Sequence, residues 1–221
     1  KYDKGRELVQ KLLAGTNIAL ITDAGTPGIS DPGEELVKMA YEAGIEVTSL
    51  PGACACVTAL TLSGLSTRRF VFEAFLPPDK KEHKLALERL KNETRTMIVY
   101  EAPHHLLKTL RELLETLGNR RLTLCRELTK KHETAWQTTL EDAITRYEQE
   151  DPKGECVLVI EGRSQKEIED EAKAAFEEIS IEEHMKRYED QGIARKEAMK
   201  LVAKDRGVTK RDIYQYLLGK E

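Results

Sequence analysis

A chain of 221 residues has room for one large domain or two small ones and can bury a real core. Its hydrophobic fraction of 40% and charged fraction of 33% are ordinary for a globular chain, and a net charge of −4 leaves any nucleic-acid affinity to a local patch. No apolar run is long enough for a bilayer span and no signal peptide is legible, so a cytoplasmic chain with no membrane partner is expected.

Cys54, Cys56, Cys125 and Cys156 sit in apolar surroundings at spacings that match no zinc pattern, which fits reduced thiols. The histidines form no ligand cluster, and no metal site is expected.

In chain order, residues 4–14 place Leu8, Val9, Leu12 and Leu13 at helical spacing, stopped by Gly15. The apolar run Ile18 to Ile21 predicts a buried strand over 18–22. A loop rich in Gly and Pro follows, then a helix over 34–43 carrying Leu36, Val37, Ala40 and Tyr41. Asp31 is suited to cap that helix, Pro32 to its first position, Glu34 to a capping box and Gly44 to its stop. Residues 45–50 alternate as a strand, Pro51-Gly52 breaks it, and the small apolar residues 53–63 predict a tightly packed helix. Strand, helix, strand with short connections predicts a βαβ unit with parallel strands.

The loop after residue 22 is selective by what it lacks. No Lys-Ser/Thr follows its glycines, so it is not a Walker A cradle, and no G-x-G-x-x-G is present. There remains Asp23 at a strand end, beside backbone that glycines open to close approach. That suits a ligand with amino or hydroxyl donors better than a polyphosphate. A rigid crossover loop with a cap is the alternative.

Farther on, 70–78 predicts a strand closed by prolines and 79–92 a charged amphipathic helix, at the expected hinge between two domains. Strands are expected over 96–102, 121–128, 133–139 and 155–162, with helices over 103–117 and 140–149. The class is α/β, in two sheets or one sheet and a small lobe. The domains are expected at 1–76, 77–164 and 165–221.

The last part is helical, over about 168–178, 181–190, 193–206 and 209–218, and resembles a helix-turn-helix module with turns at Gly192 and Gly207. Thr209 is a good N-cap, and Lys210 and Arg211 follow it, where cations oppose the helix dipole. With Arg195 and Lys196 they make a candidate phosphate-binding surface. A solvated charged face on a small bundle is the alternative.

Polar clusters stand at three strand ends: Tyr100-Glu101-Ala102-Pro103-His104-His105, Arg126-Glu127-Leu128-Thr129-Lys130, and Lys153-Gly154-Glu155. One would read as a capped turn, but three together with Asp23 point to a cleft. No Ser-His-Asp order and no glycosidase-like carboxylate pair is evident.

DAGTPGISDPG, PGACA, FLPPDKK, YEAPHH, CRELTKKHET and KGECVLVIEG occur in this order. Together they resemble the ribosomal RNA small subunit methyltransferase I family, of the tetrapyrrole-methylase-like class of S-adenosylmethionine enzymes. The resemblance runs over nearly the whole chain. It implies two α/β domains of tetrapyrrole-methylase type with a cleft between them, a C-terminal helical module, a homodimer, and 2′-O-methylation of a cytidine ribose in 16S rRNA. It implies S-adenosylmethionine against Asp23, Ala24, Gly25 and Ile29, against Cys54 and Ala55, and against Tyr100, Leu128 and Glu155.

Lys130, Glu101 and His104 are the candidates for assisting the ribose hydroxyl, since all lie at strand ends facing the expected cleft. The family usually has Pro at Ala53 and Arg at His105. Its opening strand and Pro-Ile-Gly-Asn segment have no match here. With Lys as the first residue, the natural N-terminus is expected upstream and the first sheet is expected to lack its central strand. Two other functions fit parts of the pattern. A methylase of the same class acting on a tetrapyrrole-like small molecule would need no basic tail. A non-enzymatic nucleic-acid-binding protein would need no methyl donor.

Overall fold

The computed structural model describes residues 2–218, the side chains of residues 2, 3, 172, 175 and 177 apart. These residues group into two compact units, one up to Gly162 and one from Arg163 on.

The first unit opens with helices α1 (Tyr2–Leu13), α2 (Glu34–Glu42) and α3 (Ala55–Ser63). Strand β1 (Phe70–Phe75) and helix α4 (Lys80–Lys91) follow. Then come β2 (Thr96–Glu101), a 3₁₀ turn (Pro103–His105), α5 (Leu106–Leu117), β3 (Arg121–Arg126), β4 (Thr134–Thr139), α6 (Leu140–Tyr147) and β5 (Cys156–Ile160). The strands form one sheet in the order β1-β2-β5-β3-β4. β1 and β2 are parallel and the remaining pairs antiparallel.

Alternation along the central strands divides the core in two. Met97, Val99, Leu122, Leu124, Leu158 and Ile160 face the helices α4, α5 and α6. Ile98, Cys125, Val157 and Val159 face α3 through Cys56, Ala59 and Leu60. The period-2 rule of pleated strands makes each residue choose one layer. On α5 the leucines at 106, 110 and 113 are fully buried, each worth about 1.5–3 kcal/mol relative to exposure. Asp79 caps α4 by accepting from the Lys81 and Glu82 amides at 3.0 Å, so the helix starts where its sequence predicts.

Three expectations from the first eighty residues are corrected. Residues 18–22 and 45–50 join no strand ladder, so the parallel βαβ pair is not formed among the described residues. Ile21 and Leu50 are each 82% exposed. Apolar composition supplies strand propensity, but a strand is made by a hydrogen-bonded neighbour, and among the described residues these two segments have no strand beside them. Helix α2 is capped by Gly33 without a side-chain bond, not by Asp31, and no capping box forms at Glu34. A Cβ at residue 33 would come within 2.8 Å of Leu20 Cδ2, the end of a flexible side chain. Gly44, at φ +71, does stop the helix, its amide donating to the Tyr41 carbonyl. The strand expected over 70–78 ends at Phe75 and pairs with β2, so it belongs to the sheet of the later strands.

The second unit is helical: α7 (Gln165–Glu177), α8 (Ile181–Glu189), α9 (Arg195–Arg206) and α10 (Lys210–Leu218). Met185, Ala198, Val202, Ala203 and Ile213 form its core. Ser164 and Glu167 make a reciprocal capping box on α7, and Ser180 caps α8. Gly192 and Gly207 take the left-handed conformation at the turns. At the start of α10 the Thr209 hydroxyl and the Asp212 carboxylate cap each other's amides. An acid is thus already set against that N-terminus, beside Lys210 and Arg211, and it offsets their opposition to the dipole.

Candidate functional site

Sheet topology brings the strand-end clusters together. β2 and β3 both run antiparallel to β5, with Glu101 and Arg126 each opposite Cys156. The C-terminal ends of β2 and β3 and the start of β5 therefore share one sheet edge. β1 ends there too, with Phe75 beside Tyr100.

Over this edge lie the loops 22–31 and 51–54, clamped to each other. The Thr26 amide and hydroxyl both donate to the Ala53 carbonyl, at 2.9 and 3.1 Å. Gly25, at φ +79, sits where a Cβ would press within 3.0 Å of that same carbonyl. Thr22 Oγ1 donates to the carbonyls of Ala24 and Gly25 and tightens the turn.

Between loops and sheet edge is a cleft of about 380 Å³. Asp23, Ala24, Gly25, Ile29, Cys54, Ala55, Tyr100, Leu128 and Glu155 all line it, as do Glu101 and Lys130. His104 does not; its ring stands edge-on to His105 in the 3₁₀ turn. A larger groove of about 530 Å³ between α4 and α5 holds Lys80, Lys84 and Lys108 against Glu88, Glu112 and Glu115. Its charges balance and it contains none of the strand-end clusters, so the cleft over the sheet edge is the better candidate.

Within the cleft, Glu101 is buried. One of its carboxylate oxygens accepts from the Thr109 hydroxyl at 2.5 Å and the other from the Ala102 amide at 2.7 Å. The Tyr100 hydroxyl accepts from the Cys56 amide at 2.8 Å, tying the sheet to the first turn of α3. Burial pushes the Tyr100 phenol above its ordinary value, so it stays protonated. Its ring is held edge-on by Phe72 and Phe75, at centroid distances of 5.0 and 5.6 Å.

The turn after β3 carries left-handed backbone at Glu127 (φ 49) and Thr129 (φ 66), a conformation that costs a side-chain-bearing residue about 1–2 kcal/mol. Glu127 Oε1 accepts from Lys130 Nζ at 3.1 Å and from the Glu155 amide at 3.2 Å. Lys130 also approaches the Glu155 carboxylate at 3.5 Å. The hydrogen bond from Lys130 lowers the Glu127 pKa, and the same bond raises that of Lys130. Gly154, at φ +77, leaves the space that Glu127 fills; a Cβ there would overlap the glutamate side chain. The Glu127–Lys130 pair is legible in the sequence as neighbours three apart, but its link to Glu155 and the Glu101–Thr109 bond are not, because those join residues that no spacing rule links.

The donor set suits a cationic ligand. Asp23, Asp31, Glu101, Glu127 and Glu155 line the cleft against Lys130, while Ile29, Leu128 and Val157 offer apolar wall. Glycine-opened backbone at residue 25 allows close approach. No group of three or more His, Cys, Asp or Glu side chains suited to a metal ion occurs among the described residues.

On the second unit, Arg195, Lys196 and Arg211 are exposed and Lys210 half-buried, at the starts of α9 and α10. Among the described residues no helix is long and apolar enough to cross a membrane.

A family model for tetrapyrrole (corrin/porphyrin) methylases matches residues 3–144. The crystal structure of the methyltransferase CobJ superposes with a TM-score of 0.55 at 20% identity, over 72% of this chain and 70% of that one, a likeness in fold. Ribosomal RNA small subunit methyltransferase I of Synechocystis sp. is 45% identical over all of this chain and 78% of its own length. The Bacillus subtilis protein of the same name is 43% identical over 97% of this chain and 73% of its own. The chain belongs to the tetrapyrrole methylases and, within them, to the ribosomal RNA small subunit methyltransferase I family.

Proposed function

We propose that the protein transfers a methyl group from S-adenosylmethionine to the 2′-oxygen of a cytidine ribose in the 16S rRNA of the small ribosomal subunit. The observation that carries this reading is the cleft itself. Every residue that the family resemblance assigns to the donor lines one cavity, whose carboxylates and glycine-opened backbone fit a cationic, amino-bearing molecule. When bound, the donor supplies an electrophilic methyl on a sulfonium. The protein has to hold the ribose oxygen in line with that methyl and keep water out.

A ribose hydroxyl is a weak nucleophile that gains from a base or from nearby positive charge. Lys130 is the electrostatic candidate, because its pairing with Glu127 and Glu155 keeps it cationic. Glu101 is the carboxylate nearest in kind to a base, although both of its oxygens already accept hydrogen bonds. His104 lies outside the cleft lining and ranks last. Arg195, Lys196, Lys210 and Arg211 would grip the RNA backbone. The division of the chain at 76/77 and 164/165 belongs to the same reading; β1, before the first boundary, pairs in the sheet of the later strands, and the compact-unit boundary after Gly162 supports the second. So do a homodimer and a cytoplasmic location.

The test uses radiolabelled S-adenosylmethionine and unmodified small ribosomal subunits. Label on a ribose 2′-oxygen of the 16S rRNA is the expected result. Donor binding without transfer would favour a tetrapyrrole-like small molecule as substrate, and absence of donor binding would leave only nucleic-acid binding. Replacing Lys130, Glu101 and His104 singly by Ala should cut turnover more than donor binding at the true participant. Equal turnover in all three would remove them from the chemistry.

A further inference from the structure

Two cysteine sulfurs stand 3.3 Å apart in the wall of the cleft. Cys54 is the N-cap of α3, and Cys56 is in its first turn; their Sγ atoms touch. Cys54 is half-buried and lines the cleft, whereas Cys56 is buried beneath it. The pair is anchored on both sides. The Thr58 amide and hydroxyl donate to the Cys54 carbonyl at 3.0 Å, and the Cys56 amide donates to Tyr100 Oη. The other thiols are differently placed: Cys125 is buried in the sheet, and Cys156 donates from its sulfur to the Gly154 carbonyl.

We propose that Cys54 and Cys56 form an oxidisable dithiol that closes to a disulfide under hydroperoxide and thereby remodels the wall of the cleft. Cys54 is reached from the cleft and attacks first. Its sulfur takes the distal peroxide oxygen, the O–O bond breaks, and the departing oxygen leaves as water after taking up a proton. The Cys54 sulfenic acid so formed is attacked by Cys56, which loses its proton. The S–S bond forms, the S–O bond breaks, and a second water leaves. Two thiols and one hydrogen peroxide give one disulfide and two waters. Burial, the larger cause, and the bond to Cys54 push the Cys56 thiol up to about 11, so this second step accelerates with pH.

Closure shortens the sulfur separation from 3.3 Å to about 2.05 Å, drawing the Cys54 side chain back from the cleft and toward the helix. Because Cys56 also carries the amide bonded to Tyr100, the pull reaches the opposite wall. Loss of donor affinity on oxidation rests on the assignment of the cleft to the donor; disulfide formation does not.

The experiment treats the protein with hydrogen peroxide and then splits each sample. Cleavage after Lys38 and Arg68 gives a peptide, 39–68, that contains Cys54 and Cys56 and neither of the other cysteines. Its mass reports the disulfide as a loss of two hydrogens. Titration with S-adenosylhomocysteine reports the cleft. The expected result is the two-hydrogen loss, reversed by dithiothreitol, with about tenfold weaker binding in the oxidised state. The Cys54→Ala/Cys56→Ala double variant, compared with its own untreated form, should lose no hydrogens and keep its affinity on peroxide treatment. Oxygen on Cys54 or Cys56 in place of the two-hydrogen loss, located by fragmentation so that sulfoxide at Met39 is set aside, or cysteines left unchanged in the parent protein, overturns the dithiol. An equal affinity loss in the double variant overturns the link of the dithiol to the cleft. Reduced protein that binds no S-adenosylhomocysteine overturns the donor assignment alone, while the peptide mass still decides the disulfide.

Discussion

Tyr100→Phe isolates one hydroxyl at the join between sheet and cleft. The ring contacts with Phe72 and Phe75 survive the change, so what is lost is the acceptor for the Cys56 amide. A buried donor left without its partner costs about 1–3 kcal/mol, and a typical hydrogen bond contributes about 1 kcal/mol net. Cys56 lies in the first turn of α3, where no intrahelical acceptor is available to its amide, so no other backbone group takes over. The cleft is open to water, which recovers part of the loss, and removing a desolvated phenol hydroxyl recovers a little more. The balance is about 1 kcal/mol of destabilisation, or about 2–4 °C for a chain of this size. Urea unfolding with an unchanged m value and S-adenosylhomocysteine titration are the assays. Tyr100→Leu should cost about 0.5–1.5 kcal/mol more for each edge-to-face pair lost. Tyr100→Phe with the parent's stability and affinity would refute the claim that this hydroxyl ties α3 to the sheet.

Four further outcomes follow from the geometry. Gly154→Ala forces a side chain at φ +77 into the space of Glu127, and should cost about 1–2 kcal/mol of stability and weaken S-adenosylhomocysteine binding; unaltered binding would show that the Glu127–Glu155–Lys130 arrangement does not shape the cleft. Hydrogen bonding from Arg95 lowers the Glu93 carboxyl from 4.5 to about 2, so its stabilisation is complete above about 4.5 and is lost as the pH falls toward 2; Glu93→Gln should flatten acid unfolding in that window. His184 is stacked between Phe176 and Tyr188, bonded to Asp205 and Arg206 with Arg187 near, and its burial lowers its pKa below 6.5; the helical unit should lose stability as the pH drops below about 6.5, and His184→Gln should remove that component. Lys210→Glu with Arg211→Glu should weaken RNA binding and flatten its salt dependence, and an unchanged salt slope would remove α10 from the RNA surface.

What was legible in the sequence divides at about residue 70. From there on, every expected strand and helix is present within a few residues, because each carries its own signal. β2 and β5 are continuous apolar runs, α5 repeats leucine at helical spacing, and Asp79, Thr139, Ser164 and Ser180 sit as N-caps. Before residue 70 the helices were legible and the strands were not. Residues 18–22 carry a strand's composition, but a ladder is a property of two segments, and pattern in one says nothing about the other. The cap of α2 failed as well. Asp31 had the right chemistry, but α2 begins at Glu34 with Gly33 as its N-cap, two residues past Asp31.

The cleft was legible as a set of strand ends and became a site only through register. Glu101, Arg126 and Cys156 meet because both β2 and β3 are antiparallel to β5 with those residues aligned. A slip of one residue in either ladder would exchange the two faces of the strand. Tyr100 would then turn toward the leucines of α5 and Glu101 toward α3, and the Cys56 and Thr109 bonds would both be lost. The bonds that distinguish this register are therefore the same bonds that build the cleft. Met97, Val99 and Leu158 on one face and Ile98, Val157 and Val159 on the other are apolar alike, so the polar ends, Tyr100 bonded to Cys56 and Glu101 bonded to Thr109, are what set the observed alignment apart from a one-residue slip. Core substitutions that loosen this choice should degrade donor binding before they unfold the sheet, since the polar strand ends depend on alignment more steeply than the apolar centre does.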